Sequence, residues 1–346
     1  MEKYRQFGDG GTGVNPFVPL WSNHKTSLIA RMAKTLIMGP IALIRLFLLV
    51  VALLWLAASE AICGIVVVGF LRYPLYVMLT GVGCRLALVA LGVIPVGAVL
   101  ADHRRLKLAP PKTSAAVFSA SRGTLVFANQ QGLVDVLVLG LRLAPTFVFV
   151  ARDGSPVEVG LVGALRRSTE RVLPAPLEKP VPLADIAAAA KSGWRGPVVV
   201  FGEGANTTGS CVLAWKAKTF ERVESLEKPV GVAVVSLEYS KAGAYTPHHT
   251  VGTAARYLFW LSFQPWHTVR AVWLPPSEAA AAIRGKPLDQ QWQYLRTVLV
   301  RMLPGAVEVQ VPAERHAEFL EYWDAAQTKD YTKRTPLQQA GTKKKA

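Results

Sequence analysis

A short apolar strand that ends in polar residues and turns at once into a helix constrains this chain more than any other feature. Residues 124–128 form the predicted strand, residues 129–132 the turn and residues 133–141 the helix. Such a turn lies at the carboxyl edge of an α/β sheet, where ligands bind. Asp135 falls in the first turn of the helix, where the helix dipole favours a carboxylate. Asp135 is therefore either a helix cap or a site residue.

The rest of the chain alternates apolar strands with helices, which predicts one large α/β domain. Six further strands are expected at residues 92–99, 145–151, 171–174, 196–201, 231–239 and 267–273, and helices at residues 157–167, 183–192, 277–283, 288–303 and 314–327. Several of these strands are largely apolar, which is typical of strands that helices cover on both faces. The expected fold is a mostly parallel or mixed sheet flanked by helices, preceded by membrane helices.

A long apolar stretch near the N-terminus sets that first part apart. Residues 36–58 contain one charge, Arg45, and a second apolar run follows Glu60 at residues 61–71. Because a spanning helix needs about 20 apolar residues, the stretch is one span, a hairpin of two shorter segments in one leaflet, or a buried helix pair of a soluble protein. We favour the hairpin, because Glu60 and Arg72 divide the run into short pieces. An amphipathic helix is expected at residues 73–91.

These patterns divide the chain into four regions. They are an extended N-terminal arm at residues 1–35, a membrane-embedded helical segment at 36–91, the α/β domain at 92–328 and a disordered basic tail at 329–346. The tail carries Lys343 and Lys344 at the fourth and third positions from its end. Lysines at these positions match the dilysine signal that retrieves membrane proteins to the endoplasmic reticulum.

The charge of the chain indicates an anionic partner. The formal net charge is +16, and 51% of the residues are hydrophobic. The sequence contains no zinc-finger spacing and no RNA-binding aromatic motif, so an anionic membrane surface is favoured over nucleic acid. The three cysteines, Cys63, Cys84 and Cys211, are spaced like neither a metal site nor a disulfide framework. We therefore expect no metal and a reducing, cytosol-facing location.

A second strand end carries the same kind of residues as the first. The apolar strand at residues 196–201 runs into Gly202, Glu203 and Gly204, and Asn206 follows with two threonines. Glycines let a backbone approach an oxyanion closely, and their N–H groups can bind it. Glu203 is expected either to orient this loop or to contact a substrate, the simpler alternative being a tight turn with a structural acid. Two such ends in one sheet predict a shared crevice.

The two segments together resemble the glycerophospholipid acyltransferases. Those enzymes carry a His-x4-Asp motif and a Phe-Pro-Glu-Gly motif on an α/β domain behind an N-terminal membrane segment. Here residues 129–135 and 201–204 match them, about 70 residues apart. The start of the chain, residues 1–4 and 11–17, looks like the fungal lysophosphatidic acid:oleoyl-CoA acyltransferase branch. The resemblance extends from the arm to about residue 240.

The departures from the family pattern concern the site itself. Gln130 stands where the family has its histidine, the general base that removes the proton of the acceptor hydroxyl, and the fungal branch shares this lack. A glutamine amide can position a hydroxyl but cannot take its proton. Gly202 replaces the family proline, and Asn206 replaces an arginine that often contacts the substrate phosphate. Arg171 or Arg166 is the candidate to replace the phosphate-binding arginine.

The resemblance implies an acyl-CoA-dependent acyltransferase of the endoplasmic reticulum or lipid droplet that acylates a lysophospholipid, most simply lysophosphatidic acid. Acyl-CoA would be a co-substrate, and no other cofactor is expected. The implied catalytic residues are Gln130, Asp135 and Glu203, and the implied substrate-binding residues are Asn129, Gly202, Gly204, Asn206 and Arg171. None of the six histidines has motif-like spacing. The alternative is a non-catalytic relative that binds lipid in membrane trafficking or droplet organisation.

Overall fold

The computed structural model describes residues 2–19, 28–66, 68–108, 118–193, 195–226, 231–240 and 246–327. The predicted basic tail, its terminal lysines and residues 20–27 of the arm lie outside these ranges. The helices are α1 (Leu28–Ile65), α2 (Gly69–Ala90), α3 (His103–Leu106), α4 (Leu133–Leu143), α5 (Leu161–Arg167), α6 (Leu183–Ser192), α7 (Ala254–Ser262), α8 (Pro276–Ile283), α9 (Leu288–Met302) and α10 (Arg315–Gln327). The strands are β1 (Val93–Leu100), β2 (Leu125–Ala128), β3 (Thr146–Val150), β4 (Pro156–Val159), β5 (Val198–Phe201), β6 (Cys211–Val212), β7 (Val232–Tyr239), β8 (His267–Leu274) and β9 (Val307–Glu308).

Seven strands form one twisted sheet in the order β1-β8-β7-β2-β5-β3-β4. The pairs β1–β8, β7–β2, β2–β5 and β5–β3 are parallel, while β7–β8 and β3–β4 are antiparallel. This confirms the predicted α/β class with a mostly parallel sheet. Because Phe127 of β2 lies opposite Val200 of β5, the two polar turns that follow these strands meet at the same edge.

Helices cover both faces of this sheet. The four residues of β2 are fully buried and belong in turn to two hydrophobic clusters, because successive side chains of a strand point to opposite faces. One cluster joins the sheet to α4, α5, α7 and the α1–α2 pair, and the other joins it to α6, α8 and α9. Burial on both faces explains why the central strands β2 and β5 are wholly apolar.

The helices α1 and α2 form a hairpin whose turn lies later than predicted. Ser59 and Glu60 were expected to break the first segment, but α1 continues through them to Ile65. The Ser59 hydroxyl donates to the Trp55 carbonyl of the same helix at 2.7 Å, and the Glu60 carboxylate accepts from the Val162 N–H at the start of α5. Because both polar side chains have hydrogen-bond partners within the folded protein, neither has to interrupt the helix.

One stripe of α1 packs against the domain, and the rest of the helix surface is apolar and exposed. Met38, Ala42, Leu49, Ala52, Leu56 and Cys63 are buried. Leu36, Ile37, Leu43, Ile44, Phe47 and Leu54 are exposed on α1, as are Phe70, Leu71, Met78 and Val82 on α2. Among the described residues, α1 and α2 are the two helices long and apolar enough to cross a membrane. The charged Arg45 donates to backbone carbonyls of Ser262, Gln264 and Pro265, at and just beyond the end of α7.

Two elements differ from the sequence prediction around β3. The helix predicted at residues 157–167 begins only at Leu161, because residues 156–159 form β4 and pair antiparallel with β3. This tertiary pairing outweighs local propensity over so short a segment. The strand predicted at residues 171–174 is absent from the described structure, where this segment makes no strand pairing. The helices α3 and α7 and the small β6–β9 pair were not predicted.

The N-terminal arm is folded rather than extended. Glu2–Phe7 is a 3-10 helix, and the buried rings of Phe7 and Phe17 pack against Phe319 of α10. The Pro16 carbonyl accepts a hydrogen bond from the Thr208 N–H at 3.0 Å. The arm therefore links α10 to the loop that follows β5.

Candidate functional site

The two polar strand ends are joined through the carboxylate of Glu203. Its Oε1 accepts from the Gln130 N–H at 2.9 Å, and its Oε2 accepts from the Leu213 N–H at 3.0 Å. The residue is 1% exposed. Burial raises the pKa of Glu203 to about 8, although both N–H groups favour the charged form. Both carboxylate oxygens are thus committed to holding the turn after β2 against the loop after β5.

Asp135 holds the turn that precedes α4. Its Oδ2 accepts from the Gln131 N–H at 2.5 Å and from the Gly132 N–H at 2.8 Å, which gives the start of the helix its cap. Its Oδ1 accepts from the hydroxyl of Tyr239, a buried residue of β7. Burial raises the pKa of Asp135 to about 6 against these hydrogen bonds. In this structure Asp135 orients backbone rather than a histidine.

The side chain of Gln130 is fixed by Asn206. Asn206 Nδ2 donates to the Ser168 carbonyl at 2.8 Å and to the His249 carbonyl at 3.0 Å, so its Oδ1 must be the atom that accepts from Gln130 Nε2 at 3.1 Å. Because Gln130 uses its amide nitrogen here, its Oε1 is left as an acceptor. That buried oxygen has no hydrogen-bond partner among the described residues. An O–H or N–H donor would satisfy it.

Two of the predicted substrate-binding residues have structural contacts instead. Asn129 extends the pairing of β2 with β7, since its side chain donates to the Leu237 carbonyl at 3.1 Å and accepts from the Leu237 N–H at 2.8 Å. Gly202 packs under the Trp215 ring, where an added Cβ would lie 2.9 Å from the nearest ring atom. A proline, which carries a Cβ, would meet the same ring, which gives a physical reason for a glycine at position 202.

The remaining predicted site residues line a small cavity. Gln130, Gly204, Asn206 and Arg171 line it, together with Arg167 and His316. Its volume is about 20 Å³, which has room for about one water-sized group. The cavity lies at the predicted crevice, but in this closed form it does not hold a lipid.

Arginines give this cavity a cationic side. The Arg167 guanidinium contacts Glu170 at 2.7 Å, and the Arg171 guanidinium contacts Asp324 of α10 at 2.5 Å. Arg166, the other candidate named from the sequence, is 82% exposed at its side chain, pairs with Glu170 and lies outside the cavity lining. Arg171 is therefore the better placed of the two for a substrate phosphate.

Two histidines that the sequence did not single out are buried around this cavity. His316 lines it, and His249 lies beside Gly132 and Asn206, with its ring against that of Tyr257. Burial, together with a smaller effect of the Arg171 charge, lowers the pKa of each imidazole to about 4. Neither residue lies near Gln130 in sequence, so spacing could not reveal them.

The other described histidines and the cysteines lie elsewhere. His103 pairs with Glu278 at 2.6 Å, and the His267 ring bonds to the Leu261 carbonyl at 3.0 Å. The cysteines are free and buried. Within the described ranges, no three His, Cys, Asp or Glu side chains are grouped as metal ligands.

Comparison with known proteins shows a weak similarity to a solved structure. No protein-family model matches the sequence, and no curated protein is significantly similar to it. Among solved structures, the chain is similar to the 1-acyl-sn-glycerophosphate (LPA) acyltransferase PlsC from Thermotoga maritima, with 15% sequence identity and a TM-score of 0.44. The similarity covers 78% of this chain and 97% of that chain. A similarity this weak does not establish a function, which has to be argued from the site residues.

Proposed function

We propose that this protein is an acyl-CoA-dependent acyltransferase that esterifies the free hydroxyl of a lysophospholipid, most simply lysophosphatidic acid. The observation that carries the proposal is the cavity that brings the Gln130 amide beside Arg167 and Arg171. An unpaired amide carbonyl oxygen can accept a hydrogen bond from a hydroxyl and so position it, and guanidinium groups bind phosphate. Lysophosphatidic acid carries a free hydroxyl and a phosphate on one short glycerol backbone.

The chemistry would depend chiefly on positioning. A thioester is an activated acyl donor, so alignment of the hydroxyl and stabilisation of the oxyanion can supply much of the rate. Gly204, whose backbone has a φ of +75°, lines the cavity and is the residue through which the backbone can approach a substrate oxygen. Asp135 and Glu203 would act by holding the two turns rigid. The 167–174 segment must move to admit a lipid.

The apolar helix pair supports a membrane location for this activity. The stripe of α1 that packs on the domain runs from Met38 to Cys63, so α1 lies along the domain. A helix held in this way fits in the plane of one leaflet better than across a bilayer. We infer a monotopic protein on an anionic, cytosol-facing surface, in agreement with the charge of +16. An endoplasmic reticulum or lipid-droplet membrane, and kinship with the fungal branch, remain proposals drawn from the sequence.

The second candidate is a lipid-binding protein without catalysis. The closed cavity and the structural engagement of Asp135 and Glu203 favour it. Both candidates would bind lysophospholipid, and acyl transfer separates them.

The test is acyl transfer by the purified protein in anionic vesicles, with labelled acyl-CoA and a series of lysolipids. We expect transfer to lysophosphatidic acid, and we expect Gln130→Met, which removes the amide but keeps the side-chain length, to abolish most of it. Gln293→Met is the matched control, because Gln293 is an exposed residue of α9. Binding without transfer to any lysolipid would support the second candidate, and an unimpaired Gln130→Met variant would refute the site assignment.

A further inference from the structure

The proposed site lacks a base at position 130, yet an imidazole reaches the same cavity from the other end of the chain. His316 belongs to the first turn of α10 and is 7% exposed. It lines the cavity together with Gln130, Gly204 and Asn206. An added Cβ on Gly204 would lie 3.3 Å from Ala313, which shows how closely the start of α10 approaches the loop after β5.

Hydrogen bonding fixes the tautomer of this imidazole. His316 Nε2 lies 2.8 Å from the Thr250 carbonyl oxygen. A carbonyl oxygen only accepts, so Nε2 carries the proton and Nδ1 keeps the lone pair that can take another. The ring of Phe17 packs 4.9 Å from the imidazole ring and holds its plane. A hydrogen bond from one ring nitrogen to a backbone carbonyl thus leaves the other ring nitrogen as the proton acceptor.

The surroundings keep His316 neutral near neutral pH. Burial is the largest effect that lowers its pKa, to about 4, and the positive charge of Arg171 acts in the same direction. The other charged groups at the cavity are Arg167 and Glu170, which pair with each other at 2.7 Å. A substrate phosphate on Arg171 would offset the nearest cation and raise the proton affinity of the imidazole in the complex.

We propose, on the basis of the proposed function, that His316 is the general base of the acyl transfer. It takes the role that a histidine at position 130 would have. The acceptor hydroxyl, which Gln130 Oε1 positions in the bound substrate, passes its proton to His316 Nδ1 while its oxygen attacks the thioester carbonyl carbon. The new C–O bond forms, the proton passes to Nδ1, and the tetrahedral intermediate expels the thiolate as the C–S bond breaks. The imidazolium then returns the proton to the thiolate, which leaves as the free thiol. His249 is a weaker candidate because it lies outside the cavity lining.

The test uses two replacements of this histidine and one matched control. His316→Gln keeps a donor for the Thr250 carbonyl but has no base, and His316→Ala leaves space for added imidazole. His267→Gln is the control, because His267 is also buried and also bonds a backbone carbonyl through Nε2. Circular dichroism and vesicle binding establish that each variant is folded.

We expect both His316 variants to lose about 100-fold or more in kcat with little change in KM, the usual effect of removing a general base. Imidazole should partly restore His316→Ala, increasingly as its neutral form accumulates between about pH 6 and 8. A structural role for His316 would not produce that rescue. His316 variants within threefold of the wild type, or a loss that imidazole does not rescue, would overturn this inference and leave the proposed function standing. An inactive wild-type protein would overturn both.

Discussion

Asp135 offers the clearest separation of a structural role from a catalytic one. Its carboxylate accepts from two backbone N–H groups, of Gln131 and Gly132, and from the Tyr239 hydroxyl. In Asp135→Asn the amide oxygen can accept from both N–H groups, and the Tyr239 hydroxyl can turn to accept from the new NH2 group, but its own hydrogen then loses the acceptor that Asp135 provides. We therefore expect Asp135→Asn to keep the fold and the acyl transfer, and Asp135→Ala to lose both.

The expected loss in the free energy of unfolding follows from the number of hydrogen-bond donors that each variant leaves without an acceptor. Asp135→Ala leaves three buried hydrogen-bond donors without an acceptor. Each unpaired donor costs about 1–3 kcal/mol, so the free energy of unfolding should fall by at least about 3 kcal/mol. Domains are stable by about 5–15 kcal/mol, so this is a large fraction of the total. Asp135→Asn keeps both backbone donors paired and leaves only the Tyr239 hydroxyl without this acceptor. Its cost should be about 1–3 kcal/mol near pH 3, where the wild-type carboxyl is largely protonated in both states.

The pH dependence gives an independent check. Burial raises the pKa of Asp135 from 3.8 to about 6 in the folded protein. The folded state therefore keeps its proton where the unfolded state has lost it, and stability falls as the pH rises through this window, by about 3 kcal/mol in total. Asparagine does not titrate, so Asp135→Asn should gain about 3 kcal/mol relative to the wild type between about pH 3 and 7.5.

Urea denaturation in detergent at the two pH values measures this difference, and the acyl-transfer assay measures activity. A difference between wild type and Asp135→Asn that does not change with pH would refute the elevated pKa. An Asp135→Asn variant as unstable as Asp135→Ala would refute the hydrogen-bond arrangement. A stable but inactive Asp135→Asn would show that the charge of the carboxylate has a catalytic role.

Three further predictions concern other parts of the molecule. Gly202→Ala should destabilise the fold by about 1–3 kcal/mol in urea denaturation through overpacking against the neighbouring indole, whereas Gly97→Ala, whose Cβ would meet nothing within 4 Å, should be nearly neutral. Arg171→Ala should raise KM for lysophosphatidic acid about tenfold with little change in kcat, and an unchanged KM would exclude it as the phosphate ligand. Phe47→Asp should weaken binding to anionic vesicles at least about tenfold, and Val181→Asp, an exposed apolar residue of a loop, should not; equal binding by both would contradict membrane contact through α1.

Long apolar strands made the sheet predictable. Residues 124–128 and 196–201 are buried on both faces of the sheet, and such burial leaves a continuous apolar pattern in the sequence. The short β4 was missed because four residues with Glu158 carry little pattern, and pairing with β3 decides their conformation. Glu60 was expected to end a helix because its carboxylate interrupts an apolar run. Its hydrogen-bond partner, the Val162 N–H, is distant in sequence, so the run itself could not reveal it.

The same limit applies to the chemistry of the site. A motif records residues that are close along the chain, and it correctly brought Gln130, Glu203 and Asn206 together, because two neighbouring parallel strands deliver them to one edge. The motif could not include His316, which lies on α10, far away in sequence. The Thr250 carbonyl and the Phe17 ring of the N-terminal arm orient this histidine. A missing base at a motif position is therefore weak evidence against catalysis until the cavity itself is known. Base catalysis requires only that some imidazole with a free lone pair can reach the hydroxyl that accepts the acyl group. Helix α10 brings the imidazole of His316 into the cavity lining.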